Sequence, residues 1–238
     1  MKPVAIFQHA ASEGPGYFAT YLDRHAVPWR TIRIDAGEAV PENRREFSGF
    51  AFMGGPMSVN DDLPWIAPAL ALIRSAVEAG VPVLGHCFGG QLLAKALGGE
   101  VTRNAVKEIG WGRVEVLPND VAARWFGAGL GSFESFHWHG ETFSIPAGAT
   151  RIASSVHCEN QAFALGPHLG MQCHVEMTPE LVHAWCGDWG QEVEKLAQRL
   201  PSVQTPAEMV KAVEEKTRTL NAIADRVYKR WMAGLNDQ

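Results

Sequence analysis

Val83-Leu84-Gly85-His86-Cys87-Phe88-Gly89-Gly90-Gln91 runs from an apolar, buried-type strand through a G-x-C-x-G turn into helix-forming residues 91–97. A strand that passes at once into a helix around a reactive side chain has the geometry of a nucleophile elbow. Small residues two before and two after the nucleophile make room for the strained turn. Gly85 and Gly89 fill those places, so Cys87 is the candidate nucleophile. At a helix N-terminus its thiolate would be favoured by the positive end of the helix dipole. The competing reading is a buried structural cysteine in a glycine-rich turn.

Working outward, β-rich apolar runs at residues 4–8, 31–34, 49–53 and 81–85 alternate with helix-like or loop segments, the pattern of a parallel sheet with crossover helices. Residues 65–79 carry Ile66, Leu70, Ile73 and Val77 at helical spacing and stop at Gly80, which suits a C-terminal cap. From 110 to 174 strands and tight turns follow, with strands expected at 113–117, 132–138, 150–156, 161–165 and 169–174, extending the sheet with antiparallel or mixed pairing. After Thr178-Pro179 the chain turns helical, and residues from Val210 to Trp231 mark one face of a long amphipathic helix. Residues 201–206 are the only linker-like stretch, expected to join two terminal helices. Trp65, Trp185, Trp189 and Trp231 read as core or interface, Cys158 and Cys186 as buried small hydrophobes.

The bulk properties narrow the chemistry. The chain has 238 residues, 46% hydrophobic and 20% charged, enough to bury one sizeable core. A net charge of −5, without a run of Lys and Arg, gives no footprint for nucleic acid or an anionic membrane. No apolar run approaches the ~20 residues that span a bilayer, and residues 1–9 lack the pattern of a signal peptide. A cytoplasmic protein with four free thiols is expected.

A nucleophilic cysteine needs a base. The strand-like Gly170-Met171-Gln172-Cys173-His174-Val175-Glu176 ends in a His and a carboxylate two residues apart. In extended chain both project to one face, so Glu176 can accept from one imidazole nitrogen of His174 while the other faces the thiol. A solvated polar strand end is the bland alternative. Backbone donors for an oxyanion are expected from Phe88, just after the nucleophile, and from the glycine turn Met53-Gly54-Gly55-Pro56.

Taken with His139-Gly140-Glu141, these motifs in this order resemble class I glutamine amidotransferases over about residues 4–180. They are most similar to stand-alone proteins like the glutaminase domain of GMP synthase, as Gly54-Gly55-Pro56-Met57-Ser58-Val59 and Lys107-Glu108-Ile109-Gly110-Trp111 also suggest. The resemblance implies an α/β, flavodoxin-like fold: a central, mostly parallel mixed sheet flanked by helices, with C-terminal helices. It implies one domain over 1–238, with a catalytic core at about 3–180 and a helical extension at about 181–238. It further implies a Cys87, His174, Glu176 triad, an oxyanion hole from Gly55 and Phe88, and substrate contacts from Gly54, Gln91, Trp138, His139 and Gly140. No metal or organic cofactor is implied. The substrate would be glutamine or a γ-glutamyl small molecule, and ammonia would pass to a separate synthetase subunit or simply be released. The sequence also leaves a homodimer open.

Three positions depart from the family pattern: Gly90 where His, Asn or a larger residue is usual, His86 for an aliphatic residue, and Val175 for the proline of H-P-E. Rival readings stay open: a γ-glutamyl peptide hydrolase, a cysteine hydrolase or glycation-repair protein on a related sheet, and a non-catalytic subunit that kept the fold. A metal-binding protein would draw on His137, His139, His157, Cys158, Cys173 and His174. Only His137 and His139 share a strand face, and no cluster has zinc spacing.

Overall fold

In the computed structural model, which describes residues 1–235, strand β1 (Val4–Gln8) is buried along its whole length. Such burial is what a parallel sheet covered on both faces demands. Val4 and Ile6 enter one apolar cluster, Ala5 and Phe7 another, because successive strand side chains point to opposite faces. β1 lies between β2 (Trp29–Arg33) and β3 (Gly49–Phe52). Beyond β3 come β4 (Val83–His86) and β9 (His168–Met171), all parallel. From β9 the sheet continues antiparallel through β8 (Ala162–Leu165), β7 (Thr150–Ser155), β5 (Val101–Val116) and β6 (Ser132–Phe143). The nine strands are ordered β2-β1-β3-β4-β9-β8-β7-β5-β6, a mixed α/β sheet of the expected class.

Helices cover both faces. On one side, α1 (Gly16–Arg24), α4 (Asp120–Phe126), α5 (Pro179–Ala197) and α7 (Val213–Met232) contribute Phe18, Phe126, Trp185 and Trp231 to the first cluster. On the other, α2 (Ile66–Glu78) and α3 (Phe88–Ala96) contribute Ile73 and Leu92 to the second. Gly80, at φ 69°, ends α2 as expected. No helix among the described residues is long and apolar enough to cross a membrane.

The structure corrects several boundaries. β5 starts at Val101, not 113, and β6 runs to Phe143, not 138. Residues 102–107 are mostly polar and face solvent in large part, and their pairing with β6 slips between Arg103 and Glu108, so no clean alternation marks them. β9 ends at Met171; His174 lies beyond it, in an isolated bridge to Phe136. α3 begins at Phe88, directly after the candidate nucleophile. The terminal helix is broken: Val210 closes the short α6 (Pro206–Val210), and Ala212 at φ 55° turns the chain into α7. Cys186 is half-buried, whereas Cys158 is buried as expected.

α7 packs closely against the sheet. Trp231 is fully buried, its ring 5.6 Å from that of Phe18. A Cβ on Gly49 would lie 2.9 Å from the Trp231 ring, so the start of β3 accepts the indole only as glycine. Trp231→Ala is expected to cost about 3–5 kcal/mol, with α7 and the sheet still unfolding in one transition in urea. Two separated transitions would show that the helical segment folds on its own.

Candidate functional site

Cys87 joins β4 to α3 with φ 49° and ψ −108°, a conformation that costs a non-glycine residue of order 1–3 kcal/mol and persists only where its surroundings hold it. The hold is visible. Its N–H donates to the Met171 carbonyl at 2.8 Å. A Cβ on Gly85 would overlap the Gly89 carbonyl, one on Gly89 the Phe52 carbonyl, and one on Gly90 the Met171 carbonyl. Gly90 therefore departs from the larger residue of the family pattern because β9 leaves no room for it.

The structure brings His174 and Glu176 to this elbow. Both are buried, and His174 Nδ1 lies 2.6 Å from Glu176 Oε1. His174 Nε2 has no nitrogen or oxygen partner among the described residues, and the Cys87 thiol is one of the groups that favour charge on this imidazole. Burial opposes charge on His174, but the Glu176 carboxylate and Cys87 outweigh it and hold the imidazole well above its ordinary value. Glu176 is held at about 2: burial pushes it up, and His86 and His174 pull it down further. Two hydrogen bonds hold the backbone of His174, its N–H donating to the Phe136 carbonyl at 2.8 Å and Ser135 Oγ donating to its carbonyl at 3.0 Å.

Cys87, His174, Gly55, Gln91, Trp138, His139 and Gly140 border one cleft of about 790 Å³. Phe88 is the first residue of α3, so its N–H has no acceptor within the helix. Gln91 reaches the thiol through a relay: its Nε2 donates to Gln172 Oε1 at 3.1 Å, and Gln172 Nε2 lies 3.4 Å from Cys87 Sγ. The Trp138 carbonyl lies 3.8 Å from Cys87 Sγ. His139 is differently placed from a ligand-facing side chain: Nδ1 is 2.9 Å from the Glu141 carbonyl and Nε2 is 3.0 Å from Glu108. Gly54 is not among the residues that border the cleft, and a Cβ on it would overlap the Glu13 carboxyl.

Four features escaped the sequence reading. Glu13, in the loop after β1, is buried beside His174 and lines the cleft. Burial raises its carboxyl to about 7, with His174 lowering and Glu176 raising it. Trp185 and Trp189 of α5 are cleft wall, not merely core; their rings lie 5.7 Å from Trp138. His86, the second departure, sets Nε2 3.6 Å from Glu176 Oε2. Tyr228 of α7 brings its hydroxyl 3.3 Å from the same nitrogen. Only His86 carried a signal, a polar residue in an apolar strand; the others depend on chain-distant packing. The third departure, Val175, is buried without polar contact to make.

Two measurements test these placements. His86→Leu removes the polar neighbour of Glu176 Oε2 and should slow iodoacetamide alkylation of Cys87 at neutral pH about tenfold, the effect of roughly 1.4 kcal/mol, with Tyr228→Phe intermediate. Folded Glu13 titrates above its unfolded value, so it holds a proton that the unfolded chain releases between about 4.5 and about 7. Stability is thereby lost as pH rises through that window. Glu13→Gln should leave urea stability at pH 4 unchanged and raise it at pH 8 by about 3 kcal/mol.

The profile of the family "Glutamine amidotransferase class-I" matches residues 20–184. The chain is 31% identical over 211 residues to the glutamine amidotransferase-like protein YfeJ of Salmonella typhimurium, covering 84% of this chain and 86% of that one. It is 33% identical over 138 residues to one of the subunits of the glutamine-hydrolysing GMP synthase of Saccharolobus solfataricus, covering 57% and 71%. The crystal structure of a glutamine amidotransferase from Methylobacillus flagellatus superposes with a TM-score of 0.97 at 46% identity, over 100% of this chain and 97% of that one. An elbow cysteine on a mixed sheet, a profile match across most of the chain and this overlap agree: the chain belongs to the class I glutamine amidotransferase family.

Proposed function

We propose that the chain hydrolyses the side-chain amide of glutamine, or the γ-amide bond of a γ-glutamyl compound, with Cys87 as nucleophile. The observation that carries this reading is the meeting of Cys87 with the His174–Glu176 pair, joined at 2.6 Å, in the wall of a cleft that Gly55 also borders. Cys87 Sγ adds to the amide carbon, and its proton resides on His174 Nε2. The amide oxygen gathers negative charge, which the N–H groups of Gly55 and Phe88 would receive. His174 then gives its proton to the departing nitrogen as the C–N bond breaks, leaving a γ-glutamyl thioester on Cys87. Water, deprotonated by His174, adds to the thioester carbon; the C–S bond breaks and glutamate leaves. Glu176 balances the imidazolium in both halves.

A second reading concerns the leaving group. The cleft continues past Cys87 along α5, where Trp189, Val193 and Leu196 form an apolar wall that an ammonia leaving group would not touch. That wall favours a γ-glutamyl amide of a larger, partly apolar amine. Where the amine is ammonia, a separate synthetase chain would take it up, in keeping with an archaeal relative that is itself one part of a GMP synthase divided between chains.

Glutamate release from glutamine and from a panel of γ-glutamyl amides should be measured with wild type and Cys87→Ala. Turnover of at least one substrate should fall by at least about 10⁴-fold in the variant. Hydrolysis that persists in Cys87→Ala would overturn the mechanism. Absence of turnover, together with no protection of Cys87 from alkylation by a glutamine analogue, would favour a non-catalytic subunit.

A further inference from the structure

Glu108 stands directly opposite His139 in the β5–β6 pairing, and Gly110 stands opposite His137. His137 and His139, two apart on one strand, share a face. Glu108, His137 and His139 are all buried, and one ligand atom from each lies within 4.8 Å of the others.

The orientation of the two rings says which atoms converge. His139 Nδ1 lies 2.9 Å from the Glu141 carbonyl and His137 Nε2 lies 3.4 Å from the Gly112 carbonyl. A carbonyl only accepts, so these nitrogens carry the hydrogens. The remaining nitrogens, His139 Nε2 and His137 Nδ1, face Glu108 Oε2 at 3.0 and 3.7 Å. A carboxylate oxygen is also an acceptor. In the neutral rings, three lone-pair atoms thus point at one another in a buried place. A ring that donates its far N–H to a backbone carbonyl is the usual second contact of a metal-bound histidine.

A single proton can reconcile His139 with Glu108, but it leaves His137 Nδ1 with only a long contact to Gln161 Nε2 at 3.4 Å. A cation reconciles all three at once. Ligand atoms on a tetrahedral zinc stand about 3.3–3.5 Å apart, between the 3.0 and 3.7 Å found here. Gln161 offers a fourth donor. Its Nε2 lies 2.8 Å from Glu108 Oε2, while its Oε1 is buried with no partner among the described residues. A half-turn of the carboxamide brings that oxygen round to the same point. Ser155 Oγ donates to Glu108 Oε1 at 2.8 Å and fixes the carboxylate. A second cleft, bordered by Glu108, His137 and Ser155, gives a route in from solvent.

We propose that Glu108, His137 and His139 form a binding site for a divalent first-row cation of the zinc class, separate from the thiol site and independent of the hydrolase reading. The ion would pin β5 to β6 next to Trp138, whose carbonyl faces Cys87. The set of two imidazoles and oxygen donors suits zinc, and its members were out of reach of a spacing rule because Glu108 lies on a different strand from the histidines.

The experiment uses the full chain with Cys87→Ser, so that zinc cannot be held by the nucleophile. After chelator treatment, equilibrium dialysis against Zn²⁺ with elemental analysis should give one zinc per chain. Glu108→Gln and His137→Gln, checked for folding by circular dichroism, should weaken binding at least tenfold. Co²⁺ added to the Cys87→Ser chain should give the visible bands of a low-coordinate nitrogen and oxygen site without a thiolate charge-transfer band. No stoichiometric zinc in the Cys87→Ser chain, or equal binding by His137→Gln, would overturn the proposal. So would nitrogen NMR showing His139 protonated at both nitrogens in excess zinc; the cluster would then be a buried ion pair.

Discussion

Everything at the centre of this molecule depends on a left-handed cysteine held in place by three glycines. Cys87 cannot relax from φ 49° because the backbone of α3 presses on β4 at Gly85, on β3 at Gly89 and on β9 at Gly90. Those three contacts bring strands β3, β4 and β9 to one point at their C-terminal ends, where an open parallel sheet places its ligands. The glycine turn at 54–55 follows β3 and the His174–Glu176 segment follows β9. The same packing that strains Cys87 therefore brings the His174–Glu176 pair and the glycine turn beside it.

Around this point the protein manages an unusual density of buried charge. A carboxylate with no water needs partners, or it neutralises. Glu176 has His174 hydrogen-bonded to one oxygen and the His86 ring 3.6 Å from the other, and it stays ionised. At Glu13, close by, burial outweighs the pull of His174, and its carboxyl shifts toward neutral pH. Two neighbouring acids are thus pushed apart, the separation by which acid and base roles are assigned. Tyr228 extends this arrangement to α7, so the C-terminal helix reaches the candidate site through His86.

The reach of the sequence followed the range of the physics. The elbow was legible because strand, turn and helix are contiguous, and glycine at 85 and 89 has a local meaning. The His174–Glu176 pair was legible because residues two apart stay close in the chain, although the strand itself ends at Met171 and the pair lies beyond it. The alternation of strands and helices gave the sheet class, while the pairing slip after Arg103 hid the first half of β5. Glu13, Trp185, Trp189 and Tyr228 were opaque: each reaches the site from an element whose own pattern shows only an amphipathic helix or a loop. Helical periodicity tells that Trp185 faces inward, not that the inside is a cleft.

The wall made by Trp138, Trp185 and Trp189 has a further consequence. Their rings lie 5.7–6.2 Å from one another, and the Trp185 ring is 4.9 Å from His174. An imidazolium beside an indole quenches its emission, and exchange of excitation among neighbouring indoles spreads that effect across the cluster. The protein thus carries its own optical probe at the mouth of the thiol, one whose brightness follows the charge of the base and the entry of any molecule that displaces water from the wall.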